Sequence, residues 1–309
     1  MTGSKAEHPT VSIIILNWNG LEDTRECLKS LQRIDYRNYE VVVVDNGSDG
    51  DDSVVLKAEF GDFIQLVQND RNLGCGEGFN VGILRAMEPP QPDYLVIMNN
   101  DIVVAPDFLD HLVRVAEGDR QAGLVGPKIY YYEFDGRKDV IWSAGGRIRW
   151  WLVEVHRLLE ENMNDSPEYS PKTEVDWVSG AVLMFRSCLV DEVGLLDPWY
   201  FFGHEDIDYC LRARKRGYRT VYVPTSRVWH KVGASAKKAH VTYASPASYY
   251  YFVKRNFSSP VYIFQLLMFP RLLWRWAVLY FTKVRDRRML AGFALDLGRF
   301  ILSGLGKRA

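Results

Sequence analysis

Three short apolar runs stand out in the first hundred residues, and each ends on polar side chains. Val11–Leu16 ("VSIIIL") stops at Asn17 and Asn19. Val41–Val44, in "YEVVVVDNGSDGD", stops at Asp45, Asn46 and Ser48. Leu95–Met98, in "DYLVIMNND", stops at Asn99, Asn100 and Asp101. Short runs rich in β-branched and aliphatic residues predict strands buried on both faces. Between them, "LEDTRECLKSLQRI" spaces Leu21, Cys27, Leu28, Leu31 and Ile34 for one face of a helix. Further elements are expected as a helix near 52–60, a strand near 63–67 and, after a glycine-rich turn, a helix over 74–87. This alternation predicts an α/β protein, with a Rossmann-like, mostly parallel sheet covered by helices on both faces. In such sheets ligands bind at the carboxyl ends of the strands. One polar strand end reads as a turn, because Asn and Asp are good turn formers. Three on one rim outline a site.

Beyond residue 120 the pattern turns β-rich and aromatic: "YYYEF", "IWSAGGRIRWW" and "VDWVSGAVLMF". A helix is expected over 205–217, then the strand "YRTVYVP" and a segment ending "SRVWH". The polar stretch "ENMNDSPEYSPKTE", 161–174, with two prolines, reads as disordered. No internal repeat is evident.

Composition adds little until charge is divided along the chain. Of 309 residues, 47% are hydrophobic and 25% charged, as in ordinary globular proteins, and the net charge of −1 gives no nucleic-acid signature. From Arg271 onward, however, nine Lys/Arg face two Asp, so that tail carries +7 and the rest −8. A basic end on an acidic body suggests an anionic membrane surface as partner. Four scattered cysteines without a CxxC pair exclude a zinc framework or a disulfide scaffold. The N-terminus "MTGSKAEHPT" lacks the apolar core of a signal peptide, so a cytoplasmic protein is expected.

Three further constellations carry candidate chemistry. "NLGCGEGFNVGI", Asn72–Ile83, has glycines at 74, 76, 78 and 82. Neither Gly74 nor Gly76 starts a G-x-G-x-x-G pattern, which excludes the dinucleotide fingerprint. The segment reads either as a helix packed close on the sheet or as a backbone approaching a nucleotide diphosphate. "FFGHEDIDYCLRARKRGY", Phe201–Tyr218, sets Glu205 and Asp206 at a helix start, where the macrodipole alone favours acids. Asp208 and Arg212 form an i,i+4 structural pair. The aromatic wall Trp199–Phe202 ahead of the acids gives a second reading. Apolar surroundings raise a carboxylate's pKa and a helix N-terminus lowers it, a combination that suits a general base. His230, after a strand, is structural unless Asp101 holds a metal nearby.

Taken in order, "VSIIILNWNG", "VVVVDNGSDGD", "NLGCGEGFNVGI", "MNNDIVV" and "FFGHEDIDYCLRARKRGY" resemble the inverting GT-A glycosyltransferases of family 2, more particularly its rhamnosyltransferase-like bacterial members, over residues 10–260. The resemblance implies that Asn17 and Asp45 hold the nucleotide base and that Asn72, Gly74 and Asn80 line the nucleotide. "NND" would be the family's DxD motif, with Asn99 in place of the first Asp and Asn99 and Asn100 on the donor side. Asp101 would bind Mg²⁺ or Mn²⁺ with His230. Asp206 would be the catalytic base, beside Glu205, and Ser179, Gly180 and Ala181 would lie near the donor sugar. The implied reaction is transfer from a dTDP- or UDP-type donor, L-rhamnose being one candidate sugar, to a cell-surface polysaccharide or lipid-linked glycan.

The resulting layout is a disordered N-terminus (1–9), a GT-A catalytic domain (10–245) and a helical extension (246–309). In the extension, Pro270, Arg271 and Arg275 interrupt the apolar run. A helix pair lying on the inner face of the membrane is therefore expected rather than a span. Packing on the catalytic domain or on a second copy, giving a homodimer, is the competing reading. Two other functions compete with transfer. A sugar-nucleotide pyrophosphorylase is disfavoured because the first strand lacks a glycine-rich loop ending in Arg and Lys. A non-catalytic nucleotide-sugar-binding scaffold at the membrane is disfavoured by the intact Asp101, Glu205, Asp206 and His230.

Overall fold

In the computed structural model, the residues described are 8–149, 154–166, 172–232 and 246–268. The chain divides into two compact units. One is Met1–Ile148, Glu154–Phe201 and Glu205–Val232; the other is Arg149–Val153, Phe202–His204 and Gly233–Ala309.

The first unit runs β1 (Val11–Asn17), α1 (Leu21–Leu31), β2 (Tyr39–Asp45), α2 (Asp52–Phe60), β3 (Gln65–Gln68), α3 (Cys75–Ala86), β4 (Tyr94–Asn99) and β5 (Ile102–Val104). It continues through α4 (Phe108–Glu117), β6 (Ala122–Tyr131), β7 (Ile141–Ser143), β8 (Gly146–Arg149), β9 (Glu154–Leu158), β10 (Thr173–Val175), β11 (Val182–Arg186), α5 (Cys188–Glu192), α6 (Glu205–Lys215) and β12 (Arg219–His230). The main sheet has the order β10-β12-β6-β11-β4-β1-β2-β3, with β5 on β12 and β7 on β6. Strands β4, β1, β2 and β3 are mutually parallel. Strand β11 enters antiparallel between β4 and β6, and β12 again runs parallel to β6. The expected mostly parallel sheet is thus present, with antiparallel insertions in the second half.

Both faces are covered, as the continuous apolar runs require. Ile13, Ile15, Val41, Val43, Val96 and Met98 join Leu28 and Leu31 of α1 and Phe108 and Leu112 of α4 in one buried cluster. Each such fully buried leucine contributes about 2 kcal/mol. The alternate residues Ile14 and Val44 face α3, where a Cβ on Gly82 would lie 2.3 Å from Ile14 Cγ2. On the same face, Phe185 of β11 meets Tyr209 of α6 edge to face, 5.2 Å between ring centroids.

Two expectations of disorder need correction. Segment 161–166 is tied down: Asn162 N–H donates to Ile141 O, Ile141 N–H donates to Met163 O, and the buried Lys128 pairs with Asp165. Thr173–Val175 is strand β10, while 167–171 lie outside the described residues. At the N-terminus, Asn38 Nδ2 and Tyr36 Oη donate to the carbonyls of His8 and Pro9, so the ordered chain starts before residue 10. Residues 1–7 lie outside the described residues.

In the second unit, helices Pro246–Asn256 and Ser259–Leu267 are described. Tyr250 Oη donates to Gln265 O, joining them. Ser248 Oγ donates to Gly203 O, and the His204 ring stacks on Phe252. Pro270 and all that follows lie outside the described residues. Among those described, no helix is long and apolar enough to cross a membrane.

Candidate active site

The rim is assembled by strand register. Asn17 at the end of β1 pairs with Asp45 of β2, and Leu16 pairs with Asn99 of β4. Asn99 N–H donates to Ala181 O at 3.0 Å, which sets the 179–181 segment beside the end of β4. Gly180 N–H then donates to Asp206 Oδ2 at 2.7 Å. Hydrogen bonds and register thus link Asp45, Asn17, Asn99, Gly180 and Asp206 in one series.

Asn17 is wholly buried. Its Nδ2 lies within hydrogen-bond reach of Asp45 Oδ1, Ser48 Oγ and Asp52 Oδ2, while its Oδ1 accepts from Thr24 Oγ1 at 2.8 Å. Asn100 Nδ2 donates to Thr24 Oγ1 at 2.9 Å and approaches Asn17 Oδ1 and Gly20 O. Asn17 and Asn100 therefore knit the strand ends to α1 in this conformation. Gly20 closes the loop because a Cβ there would lie 2.2 Å from Asn100 Nδ2. Asp45 differs: Oδ1 accepts from Asn17 and Ser48, but buried Oδ2 receives no donor. An unpartnered buried acceptor is costly unless something donates to it.

The glycine-rich segment is mostly a packing device. Gly82 lets α3 lie close on Ile14 and Val44, and Gly78 lies close to Leu16 and Asn46. Gly74 has φ +87°, and a Cβ there would sit 2.6 Å from Phe201 O, the atom that accepts from Cys75 N–H. Asn72 Oδ1 accepts from Gly74 N and Asn46 Nδ2, shaping the turn. Asn80, expected to line a nucleotide, is found bonded to the backbone. Its amide is buried and spent on one backbone partner, Nδ2 donating to Leu196 O at 2.8 Å and Oδ1 accepting from Leu196 N at 3.0 Å. Arg212 holds the same loop from α6, donating to Val193 O, Leu195 O and the buried Asp208. The two residues brace the loop that leads to the acids, and Arg212's contacts to Val193 and Leu195 had no sequence signal.

Asp206 opens α6 with its carboxylate accepting from Gly180 N–H and from Ile207 N–H at 2.8 Å. Burial pushes its carboxyl above the ordinary aspartate range, against the backbone N–H donors of Gly180, Ile207 and Asp206 itself, which favour the charged form. Glu205 is buried beside it. Ser179, also buried, accepts Ala181 N–H at its Oγ and so shapes the 179–181 turn.

Asp101 follows β4, and the β5–β12 pairing brings it to His230. His230 Nε2 lies 3.1 Å from Asp101 Oδ1, both side chains being almost fully buried. Burial raises the Asp101 carboxyl, but the neighbouring His230 side chain, a backbone hydrogen bond and Lys231 together more than offset it, so it lies below the ordinary range. Asp101 Oδ1 faces only the His230 Nε2, without a well-aligned donor, and His230 Nδ1 has no hydrogen-bond partner. Trp142 stands edge-on to the imidazole at 4.5 Å. These two residues fit a divalent cation. Adjacent ligand atoms around an octahedral Mg²⁺ are about 2.9 Å apart, given bonds of about 2.1 Å. Among the described residues no third His, Cys, Asp or Glu joins them. Water or ligand oxygens would complete the shell, as is usual for Mg²⁺ with phosphates.

Comparison with known proteins gives the family and the fold. Residues 8–243 match the model of glycosyltransferase like family 2. An uncharacterised protein of Sinorhizobium fredii is 32% identical over 238 residues, 74% of this chain but only 25% of that protein. N-acetylglucosaminyl-diphospho-decaprenol L-rhamnosyltransferase of Mycobacterium tuberculosis is 29% identical over 244 residues, covering 72% of this chain and 74% of its own length. Among solved structures, GalNAc-T7 with UDP, GalNAc and Mn²⁺ superposes with a TM-score of 0.62 at 18% identity, over 81% of this chain and 49% of that one. A mannosyltransferase of Pyrobaculum calidifontis with GDP-Man and Mn²⁺ gives 0.53 at 18% identity, over 98% and 89%. The sheet and its helices are thus those of the GT-A fold. Because the family match takes in well over half of the chain, it belongs to glycosyltransferase like family 2 and is a glycosyltransferase.

Proposed function

We propose that the chain transfers a sugar, L-rhamnose from dTDP-rhamnose being the leading candidate, to a glycan or lipid-linked glycan with inversion at the anomeric carbon. The observation that carries the proposal is the Asp206 carboxylate, oriented by Gly180 and Ile207 N–H and raised in pKa by burial. Asp206 takes the proton from an acceptor hydroxyl. The acceptor oxygen bonds to the anomeric carbon, the bond from that carbon to the donor diphosphate breaks, and the diphosphate leaves with the electron pair. Asp45 Oδ2 accepts a hydrogen bond from the donor's base. Asp101 and His230 would hold Mg²⁺ or Mn²⁺. When bound, the cation supplies positive charge against the leaving diphosphate. Asn17 and Asn100 keep the β1 and β4 ends in register for the donor, and Gly74 sets the backbone of the turn beside Phe201. The rhamnosyltransferase relatives support the sugar, and the lipid-linked acceptor in one relative's name supports the acceptor class.

The C-terminal segment rests on an anionic membrane surface from the cytoplasmic side. In helix Ser259–Leu267, Ile263, Phe264 and Leu267 are 55%, 47% and 75% exposed. The basic, Trp-rich sequence that follows supports the same partner. A second copy covering this face is the competing occupant.

The reaction is tested by incubating dTDP-rhamnose with Mn²⁺ and a polyprenyl-diphosphate-linked N-acetylglucosamine acceptor, and following release of dTDP and the anomeric configuration of the glycoside formed by NMR. Release by the wild type and none by Asp206→Asn is expected. Equal release by both would overturn the assignment of Asp206.

A further inference from the structure

The pair Asp101–His230 is braced from outside, and the brace converges on one helix. His230 is followed by Lys231, whose N–H donates to Asp101 O at 3.1 Å. The Lys231 side chain crosses to α1, with Nζ 2.8 Å from Asp23 Oδ1 and 2.6 Å from Glu26 Oε2. Glu26 Oε1 accepts from Tyr132 Oη at 2.6 Å, and Tyr132 N–H donates to His230 O at 2.8 Å. The same helix holds the other half of the pair through Thr24, which bonds Asn100, the residue before Asp101. Residues 23–26, about one turn of α1, thus grip the chain next to both side chains.

We propose that Lys231 is a positioning residue which, with Asp23 and Glu26, fixes the spacing between Asp101 and His230 and so sets affinity for a divalent cation. The inference rests on the metal reading above. It makes a prediction opposite in sign to simple electrostatics. Removing a cation and exposing two carboxylates near a metal site strengthens cation binding if charge alone decides. Removing a brace behind a ligand weakens it, by 10- to 100-fold for comparable supporting groups.

The test compares the wild type, Lys231→Met and Lys231→Arg in two measurements. Mn²⁺ affinity is read by electron paramagnetic resonance. Amide hydrogen exchange at residues 132 and 231 is read in metal-free protein. Lys231→Met is expected to bind Mn²⁺ at least about tenfold more weakly and to exchange faster at both amides, with Lys231→Arg close to the wild type. Unchanged or tighter Mn²⁺ binding by Lys231→Met overturns the proposal. If the wild type itself binds no Mn²⁺, the metal reading falls. The brace is then decided by exchange alone, unchanged rates at 132 and 231 overturning it.

Discussion

Gly180 donates its backbone N–H to Asp206 Oδ2 at 2.7 Å, so a residue just before β11 aims a carboxylate in the first turn of α6. A Cβ on Gly180 would lie 3.1 Å from Asp206 Cβ, which leaves no slack in that contact. Asp206→Asn keeps the size and one acceptor but loses the base. It is expected to lower kcat by about 10²- to 10⁴-fold with donor affinity within about twofold of the wild type, measured by steady-state kinetics and calorimetry.

The raised pKa of Asp206 has consequences for both rate and stability. As a base it must be ionised, so kcat/KM is expected to fall as pH drops through a value above that of free aspartate. Stability runs the other way: a carboxyl whose folded pKa is raised contributes stability below its unfolded pKa and loses it as pH rises through the folded one. Melting curves of the wild type and Asp206→Asn are expected to diverge across that window, the wild type declining relative to the variant.

Asn80 tests the reassignment of the glycine-rich segment. Asn80→Ala leaves the buried Leu196 N–H and C=O without partners and is expected to cost about 1–3 kcal/mol in unfolding free energy. Because both amide groups are spent on Leu196, nucleotide affinity is expected to hold while kcat falls with the loosened acid-bearing loop. Urea unfolding, calorimetry and turnover separate these effects. A large loss of nucleotide affinity in a folded variant would restore Asn80 to the donor site.

Much of this architecture was legible because it depends on local pattern. Runs such as Val41–Val44 can only be strands buried on both faces, and their polar ends locate the rim. Asp208–Arg212 was legible as an i,i+4 pair, though not Arg212's reach to Val193 and Leu195. The bonding of Asn80 to Leu196 was not legible because that partner lies 116 residues away, and an asparagine among glycines looks the same whether it binds a ligand or a backbone. Gly82 offered two readings, and only the 2.3 Å approach of Ile14 decides for packing. Segment 161–166 is polar enough to look disordered, yet Lys128, buried on β6, holds Asp165. A buried cation that needs a counter-charge cannot be recognised without knowing that its strand is covered.

The exposed face of helix Ser259–Leu267 gives a separable prediction about location. Full-length protein is expected to sediment with vesicles containing phosphatidylglycerol more than with phosphatidylcholine alone, and less so at high salt. Replacing Ile263 and Phe264 by Ser is expected to reduce that binding without changing donor turnover. Concentration-dependent dimerisation abolished by the same changes, with no vesicle binding by the wild type, would assign the face to a second copy.

The most direct test is calorimetric titration of dTDP, UDP and GDP into the protein, each with Mg²⁺ and with EDTA, alongside Asp101→Ala. Metal-dependent binding of one nucleotide, lost in EDTA and in the variant, is the predicted result, and it names the donor class. No binding of any nucleotide under any of these conditions would contradict the account of the rim as a donor site.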